Sequence, residues 1–442
     1  MYTQMRNPLN SRFSRICARL FVLHGGDRMS LTKRLHLLLL ANGLSIGAIT
    51  ATLAAFAALG SVPAYCGEKV LHSFEGTDGE EPYSGLTIDG AGNLYGTTYA
   101  GGTGGGVVYR LTPDGTETVL HSFGGGDDGV APLGGVIFDS AGNLYGTTAG
   151  GGASNAGTVY RLSSDGTETV LYSFEGNSDG NDPTGSLASD SSGNLYGTTY
   201  YGGDMTAPEC DGEGCGTVFE LKTNGQKVTL HTFTNEPDGQ WPADGVTLDN
   251  HGNLFGTTRF GGAAGCAGGG CGSVFEITPG GAESVSYSFC SQPNCTDGAW
   301  PLAGLMLGKH GNLFGTTSSG YYGGGVVFEL TPAGKETVLH SFANSGDGKS
   351  PQARLIADKT GNLYGTTFYG GDGVCRAPHH IRHCGIAFEI TEGGTETVLI
   401  DFKGSGGYLP AAPLVLGPKG ILYGTASEGG AKGYGVVFSV EK

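Results

Sequence analysis

The stretch Gly92-Asn93-Leu94-Tyr95-Gly96-Thr97-Thr98, "GNLYGTT", decides the fold because it is not alone. It recurs from Gly142, Gly193 and Gly361, as "GNLFGTT" from Gly252 and Gly311, and as a worn "GILYGTA" from Gly420. Measured at the residue after the first Gly, the copies lie 50, 51, 59, 59, 50 and 59 residues apart. Repeats of this length indicate a solenoid or a propeller.

One unit reads as four short strands: a over 84–89, b over 93–98, c over 107–111 and d over 117–123. They are rich in Val, Leu, Tyr, Phe and Thr, and turn signals separate them ("GAG" between a and b, "TPDG" between c and d). No segment sustains a helical period. Four antiparallel strands joined by short hairpins make a propeller blade. "EKVLHSF" at 68–74 is a strand d without a, b or c before it, and "YGVVFSVEK" at 434–442 is a strand c without a d after it. The two fragments complement each other, as they must in a closed ring. The fold class expected is all-β: a seven-bladed β-propeller whose last blade is closed by the N-terminal strand.

Within the motif, Asn and Gly read as hairpin-turn residues, often after an Asp (Asp89, Asp139, Asp190, Asp249, Asp358). Leu and Tyr/Phe read as packing between blades, and the mid-strand Gly as a point of close backbone approach. A catalytic group is rarely needed seven times, so the repeat is read as structural.

Bulk properties narrow the function. Gly supplies 85 of 442 residues, against a usual level of roughly 7%. The first 64 residues hold seven Lys/Arg and one Asp, so the remainder carries −23 of an overall −17. Such an acidic body disfavours nucleic acid and anionic lipid. Residues 1–64 read as an export signal, with Met29 as an alternative start. Lys33 and Arg34 precede a charge-free stretch that runs to Glu68, and "SVPAY" offers a cleavage site before Tyr65. An uncleaved membrane anchor is the competing reading. Tyr65 is too bulky for a lipobox at Cys66. Residues 65–442 then form a single propeller domain, expected to act as a monomer outside the cytoplasm: extracellular, on the cell surface or periplasmic.

Cysteines come in local pairs: Cys210/Cys215, Cys266/Cys271, Cys290/Cys295 and Cys375/Cys384. In an exported chain these read as four loop disulfides, since zinc sites favour shorter spacing. His379, His380 and His383 between the last pair make a metal site only if those thiols stay reduced, and no metal or cofactor is expected.

The combined pattern "GNLYGTT", "GVVYRLTPDG", "TETVLHSF" resembles the GloVer-type tandem repeats of bacterial exported "choice-of-anchor" proteins across about residues 68–442. The resemblance implies an exported, surface-associated bacterial protein, often with a C-terminal sorting anchor, whereas Lys442 here follows a strand c. It carries no established activity. "D-x-x-GNLY" is also similar to propeller lactonases and virginiamycin B lyase-type propellers, through turn chemistry only.

All four Cys pairs and the long insertions fall in b–c and d–a loops, on one face of the ring. Variable loops on a rigid scaffold are where binding resides. The d–a loops repeat "D-G-x-x-P" with Asp78, Asp128, Asp179, Asp238, Asp297 and Asp347. These are candidate cation or sugar-hydroxyl ligands, or turn-closing residues. Trp241 and Trp300 precede the Pro in two such loops, and Tyr201, Phe260, Tyr322 and Tyr369 follow strand b. Aromatics beside carboxylates suit carbohydrate stacking, against interblade packing as the alternative. His72, His121, His231 and His340 share one strand-d position and read as structural. No phosphate loop or nucleophile–base set is visible, so no catalytic residue is assigned. The leading expectation is a non-enzymatic binding module for carbohydrate or a surface polymer. The alternative is a lyase or hydrolase of a polysaccharide or lactone at the acidic mouth.

Overall fold

The computed structural model describes residues 68–441 apart from 208–209, 211, 263–265, 267–268, 321–322, 344–345, 378–379 and 405, and only the backbone of 374–377 and 380–383. The expected signal, Cys66 and Tyr322 lie outside the described residues. Seven four-stranded antiparallel sheets follow in order. In blade 1, strands a to d are Thr87–Ile88, Leu94–Thr98, Val107–Leu111 and Glu117–Ser122. In blade 7, a, b and c are Val415–Leu416, Leu422–Ala426 and Val436–Val440, and strand d is Lys69–Ser73. Lys69 pairs with Ser439 and Ser73 with Val436. The N-terminal strand therefore closes the last blade, as the phase of the chain ends requires.

Two repeated contacts hold the blades in a ring. A strand-d Phe of each blade meets a strand-c ring of the next. Phe123–Tyr160, Phe174–Phe219, Phe233–Phe275, Phe289–Phe328, Phe342–Phe388 and Phe402–Phe438 have centroids 5.0–5.2 Å apart, and Phe74–Tyr109 closes the series at 5.2 Å. All are edge-on, the orientation favoured by ring quadrupoles. The second contact uses the first Thr of "GTT". Thr97 Oγ1 donates to Gly134 O at 3.0 Å, and the donation repeats around the ring until Thr425 reaches Ser84 O at 3.1 Å. The acceptor is always the second residue after the d–a Pro.

Strand a is much shorter than expected, two residues against six, whereas b and d each differ by one residue. Its first half faces the ring axis. There the carbonyl of Ser84 goes to Thr425, and the Ser84 hydroxyl bonds Thr97 N and O in place of ladder bonds. The mid-strand Gly is required by strand c of its own blade: a Cβ on Gly96 would lie 2.6 Å from Tyr109 Oη. The close neighbour is thus an aromatic side chain and not the backbone expected from the sequence, because the strand-c ring lies over the Gly. All seven blades have a bulge in the c–d ladder, at Val108/Tyr109 in blade 1 and at Val70/His72 in blade 7. In blade 6 the long b–c connection folds into a further hairpin, Val374–Ala377 with His380–His383.

Candidate aromatic shelf and channel mouth

The b–c and d–a loops are joined by short bridges, such as Glu80 with Ala100 and Gln240 with Phe260. They therefore share one face. The residue before each d–a Pro is left-handed in all seven blades: Glu81, Ala131, Asp182, Trp241, Trp300, Ser350 and Leu409 have φ of 56–62°. This conformation is costly for a side chain. It is held from both sides. Trp241 N–H donates to Cys215 O of the preceding blade, and Trp241 O accepts from Arg259 N; Trp300 is held likewise by Cys271 O and Ser318 N. The same geometry fixes where the two indoles stand.

Trp241 stacks on Tyr200 of the neighbouring blade, with centroids 5.6 Å apart and planes 24° apart. It meets Tyr201 at 5.9 Å and Phe260 at 5.4 Å edge-on. Phe260 lies 6.3 Å from Trp300. Arg259 sits 4.9 Å over the Phe260 ring and donates to Tyr200 Oη at 3.1 Å. The result is a continuous shelf across blades 3, 4 and 5. Trp241 is half-buried across a seam and its indole N–H has no partner. Trp300 is 38% exposed, one of the most exposed large apolar side chains among the described residues. Asp182 adjoins the shelf, and burial pushes its carboxyl up to about 6.

The "D-G-x-x-P" carboxylates face strand d. Asp78, Asp128 and Asp238 bond His72, His121 and His231 at 2.9, 2.8 and 3.1 Å, and Asp179 and Asp297 accept from Tyr172 and Tyr287 at 2.9 Å. Asp347 Oδ2 lies 3.6 Å from His340 Nε2. Each also accepts a loop backbone N–H, as from Thr234 to Asp238. Tyr369 packs edge-on against Phe368 at 4.7 Å, on blade 6. The shelf gathers Trp241, Trp300, Tyr201 and Phe260, while the Asp set is engaged with strand d.

Beside the shelf a cavity of about 360 Å³ opens along the ring axis, lined from all seven blades and including Tyr200. Its wall is mostly Gly, Ala, Leu and Ser, and two of its residues are charged. Asp244 stands where other blades have Ser, Gly or Ala, and Arg354 where they have Gly, Ser or Pro. Asp244 accepts from Gly245 N and Gly304 N at 2.7 and 2.8 Å. Burial lowers the Arg354 guanidinium from its ordinary value, and Asp244 opposes that shift. Tyr200, Arg259, Asp244 and Arg354 are the residues that motif reading missed. The signal for Asp244 and Arg354 is departure from the repeat at fixed positions, whereas Tyr200 and Arg259 occupy a position that varies from blade to blade.

Three expected disulfides are present: Cys210–Cys215, Cys266–Cys271 and Cys290–Cys295. Cys384 is also disulfide-bonded, and the side chain of its expected partner Cys375 lies outside the described residues. Cys266 Sγ is 3.8 Å from Cys290 Sγ, so two of the bridges pack together. Disulfides of this kind belong to oxidising compartments. Among the described residues no helix is long and apolar enough to cross a membrane.

Comparison with known proteins follows the fold. Two structures of an extracellular domain from B. thetaiotaomicron, described as a one-component and as a hybrid two-component system, align with TM-scores of 0.50 and 0.53 at 13% and 11% identity. They cover 82% and 85% of this chain, which spans only 39% and 40% of theirs. A gluconolactonase from Xanthomonas campestris aligns at a TM-score of 0.40 and 16% identity, over 67% of this chain and 84% of its own. At these identities the likeness is one of fold. Comparison with curated proteins gives no match. The sequence profile of the Gloeobacter/Verrucomicrobia repeat matches residues 62–208 and 205–377, well over half of the chain. With its seven copies of "GNLYGTT" built into seven blades, the chain belongs to the Gloeobacter/Verrucomicrobia repeat family.

Proposed function

We propose that the chain is an exported, non-enzymatic binding module, and that its ligand is a carbohydrate or carbohydrate-bearing surface polymer held on the shelf of blades 3 to 5. The observation that carries this reading is Trp300, 38% exposed on a loop whose backbone is pinned on both sides. Five blades close the same loop without Trp, so closure does not need the indole. Sugar rings stack on such faces, and the Arg259 guanidinium supplies donors beside it. Asp179, Asp238 and Asp297 hold the d–a loops on which the shelf stands, and Asp78, Asp128 and Asp347 hold the corresponding loops of other blades.

The test is binding of the purified chain to a glycan array, followed by titration of the best ligand. Trp300→Ala is expected to weaken binding about fivefold, from about 1 kcal/mol of stacking, with an unchanged melting temperature. Trp241→Ala is expected to lower the melting temperature as well, because Trp241 packs across a seam. Undiminished binding in Trp300→Ala would remove the shelf from the account.

Asp244 and Arg354 favour a second reading, a lyase or hydrolase acting at the channel mouth. Turnover of a polysaccharide or lactone that disappears in Asp244→Asn would put this reading first.

A further inference from the structure

The outer seams carry a second repeated set, distinct from the shelf. Strand d opens with Glu117, Glu168, Glu283, Glu336 and Glu396 in blades 1, 2, 4, 5 and 6, and Glu68 takes that place in blade 7. In all six the Oε1 atom is fully buried and has no hydrogen-bond partner. At two seams the glutamate joins a compact donor set. One ring nitrogen of His72, one oxygen of Asp78 and one of Glu117 all lie within 4.8 Å of one another, and so do the corresponding atoms of His231, Asp238 and Glu283.

Blade 3 shows what such a seam accepts. Its strand d opens with Lys227 instead of Glu. The Lys227 ammonium, on a side chain only 5% exposed, lies 2.9 Å from Asp179 Oδ1, 2.5 Å from Asp179 O and 2.8 Å from Thr229 Oγ1. The seam opened by Lys227 thus has its carboxylate paired, while the seams opened by Glu117, Glu168, Glu283, Glu336 and Glu396 set a second carboxylate beside the first. Two adjacent carboxylates with a buried, unpartnered oxygen are destabilising unless a cation joins them.

We propose that the seam between blades 7 and 1 and the seam between blades 3 and 4 each bind one divalent metal ion of the zinc class. The ligands are His72, Asp78 and Glu117 in the first, and His231, Asp238 and Glu283 in the second. One imidazole and two carboxylates suit this class, whereas calcium takes more oxygens. His72 Nε2 stands 2.9 Å from Asp78 Oδ2 and His231 Nε2 3.1 Å from Asp238 Oδ2, so metal entry exchanges that hydrogen bond for two metal bonds with the ring neutral. Each ion clamps strand d of one blade to strand d of the next. Two further seams carry the same residue types, His121 with Asp128 and Glu168 and His340 with Asp347 and Glu396, but their three donor atoms do not all come within 4.8 Å of one another, and the remaining seams lack a part of the set: Tyr172 and Tyr287 replace His, and Gly406 replaces Asp.

Zinc ions alone, titrated calorimetrically into the chelator-treated chain with its disulfides intact, provide the test. Two equivalents are expected to bind and to raise the melting temperature. Glu117→Gln and Glu283→Gln are each expected to lose one equivalent, and the double variant both. Glu117→Lys, which copies the arrangement at Lys227, is expected to lose one equivalent and to melt higher than the parent without metal, as its ammonium pairs with Asp78. No zinc uptake by the parent, or two equivalents retained by the double variant, would overturn the proposal. Should either Gln variant fail to fold, loss or retention of that equivalent in Glu117→Lys decides the matter.

Discussion

At the residue scale the repeated motif resolves into separate tasks. Asp89 Oδ1 accepts the N–H groups of Ala91 and Asn93, and its Oδ2 accepts from the Asn93 amide and Tyr95 Oη. The a–b turn is thereby locked to strand b. Gly96 makes room for Tyr109, Thr97 ties its blade to the next, and Thr98 Oγ1 caps the exit of strand b at Ala100 O. The same logic exposes two imperfect copies. Tyr109 and Tyr160 are fully buried and their hydroxyls have no partner, where the other five blades carry Phe. A buried hydroxyl without a hydrogen bond costs about 1–3 kcal/mol. Tyr109→Phe and Tyr160→Phe should therefore each stabilise the protein by about 1 kcal/mol or more, read as a higher denaturant midpoint with an unchanged slope. Lower midpoints in both variants would show that the hydroxyls are paired in solution. The turn role of Asp89 and Asn93 was legible in the sequence because it acts within six residues. The role of Thr97 was not, because its partner Gly134 is 37 residues away and is recognised only once the blades are side by side.

At the element scale, strands b, c and d were legible because each is a short run of β-formers between turn signals. Strand a was overestimated: residues 84–86 have strand composition, but their polar groups turn to the neighbouring blade. The shelf was half legible. Trp241, Trp300, Tyr201 and Phe260 stand out by type, but Tyr200 and Arg259 acquire meaning only through contacts across a seam. The buried glutamates that open strand d make a prediction about pH. Burial raises Glu68, Glu336 and Glu396 to about 7 from an ordinary 4.5, with Asp297 and Asp347 adding to the rise in the last two. Their folded values lie above their unfolded ones, so the folded state binds protons more tightly. Their contribution is most favourable in acid and is lost as pH rises from about 4.5 through about 7. In chelator, the triple Glu→Gln variant at these positions should be more stable than the parent at pH 8, with the gap narrowing towards pH 5. Parallel stability profiles for variant and parent would contradict the assigned burial. The loop disulfides, each closing a separation of 5 residues, are expected to contribute no more than about 2–3 kcal/mol apiece on the chain-entropy model. Peptide mapping without reductant should recover them as local pairs.

At the scale of the whole molecule, the ring is a series of equal seams, and the seam between blades 7 and 1 is built from both ends of the chain. Phe74–Tyr109, Thr425–Ser84 and the pairing of Lys69–Ser73 with Val436–Val440 all depend on the segment just after the expected signal or on its neighbours. Removing that segment leaves the last blade with three strands and an open edge, and takes Phe74 from the closing aromatic pair. The most direct test is thermal unfolding of a chain lacking residues 65–74 beside one that retains them. Closure predicts a markedly lower midpoint or aggregation for the shortened chain, whereas an unchanged midpoint in soluble, monomeric protein would contradict a propeller closed by its N-terminal strand.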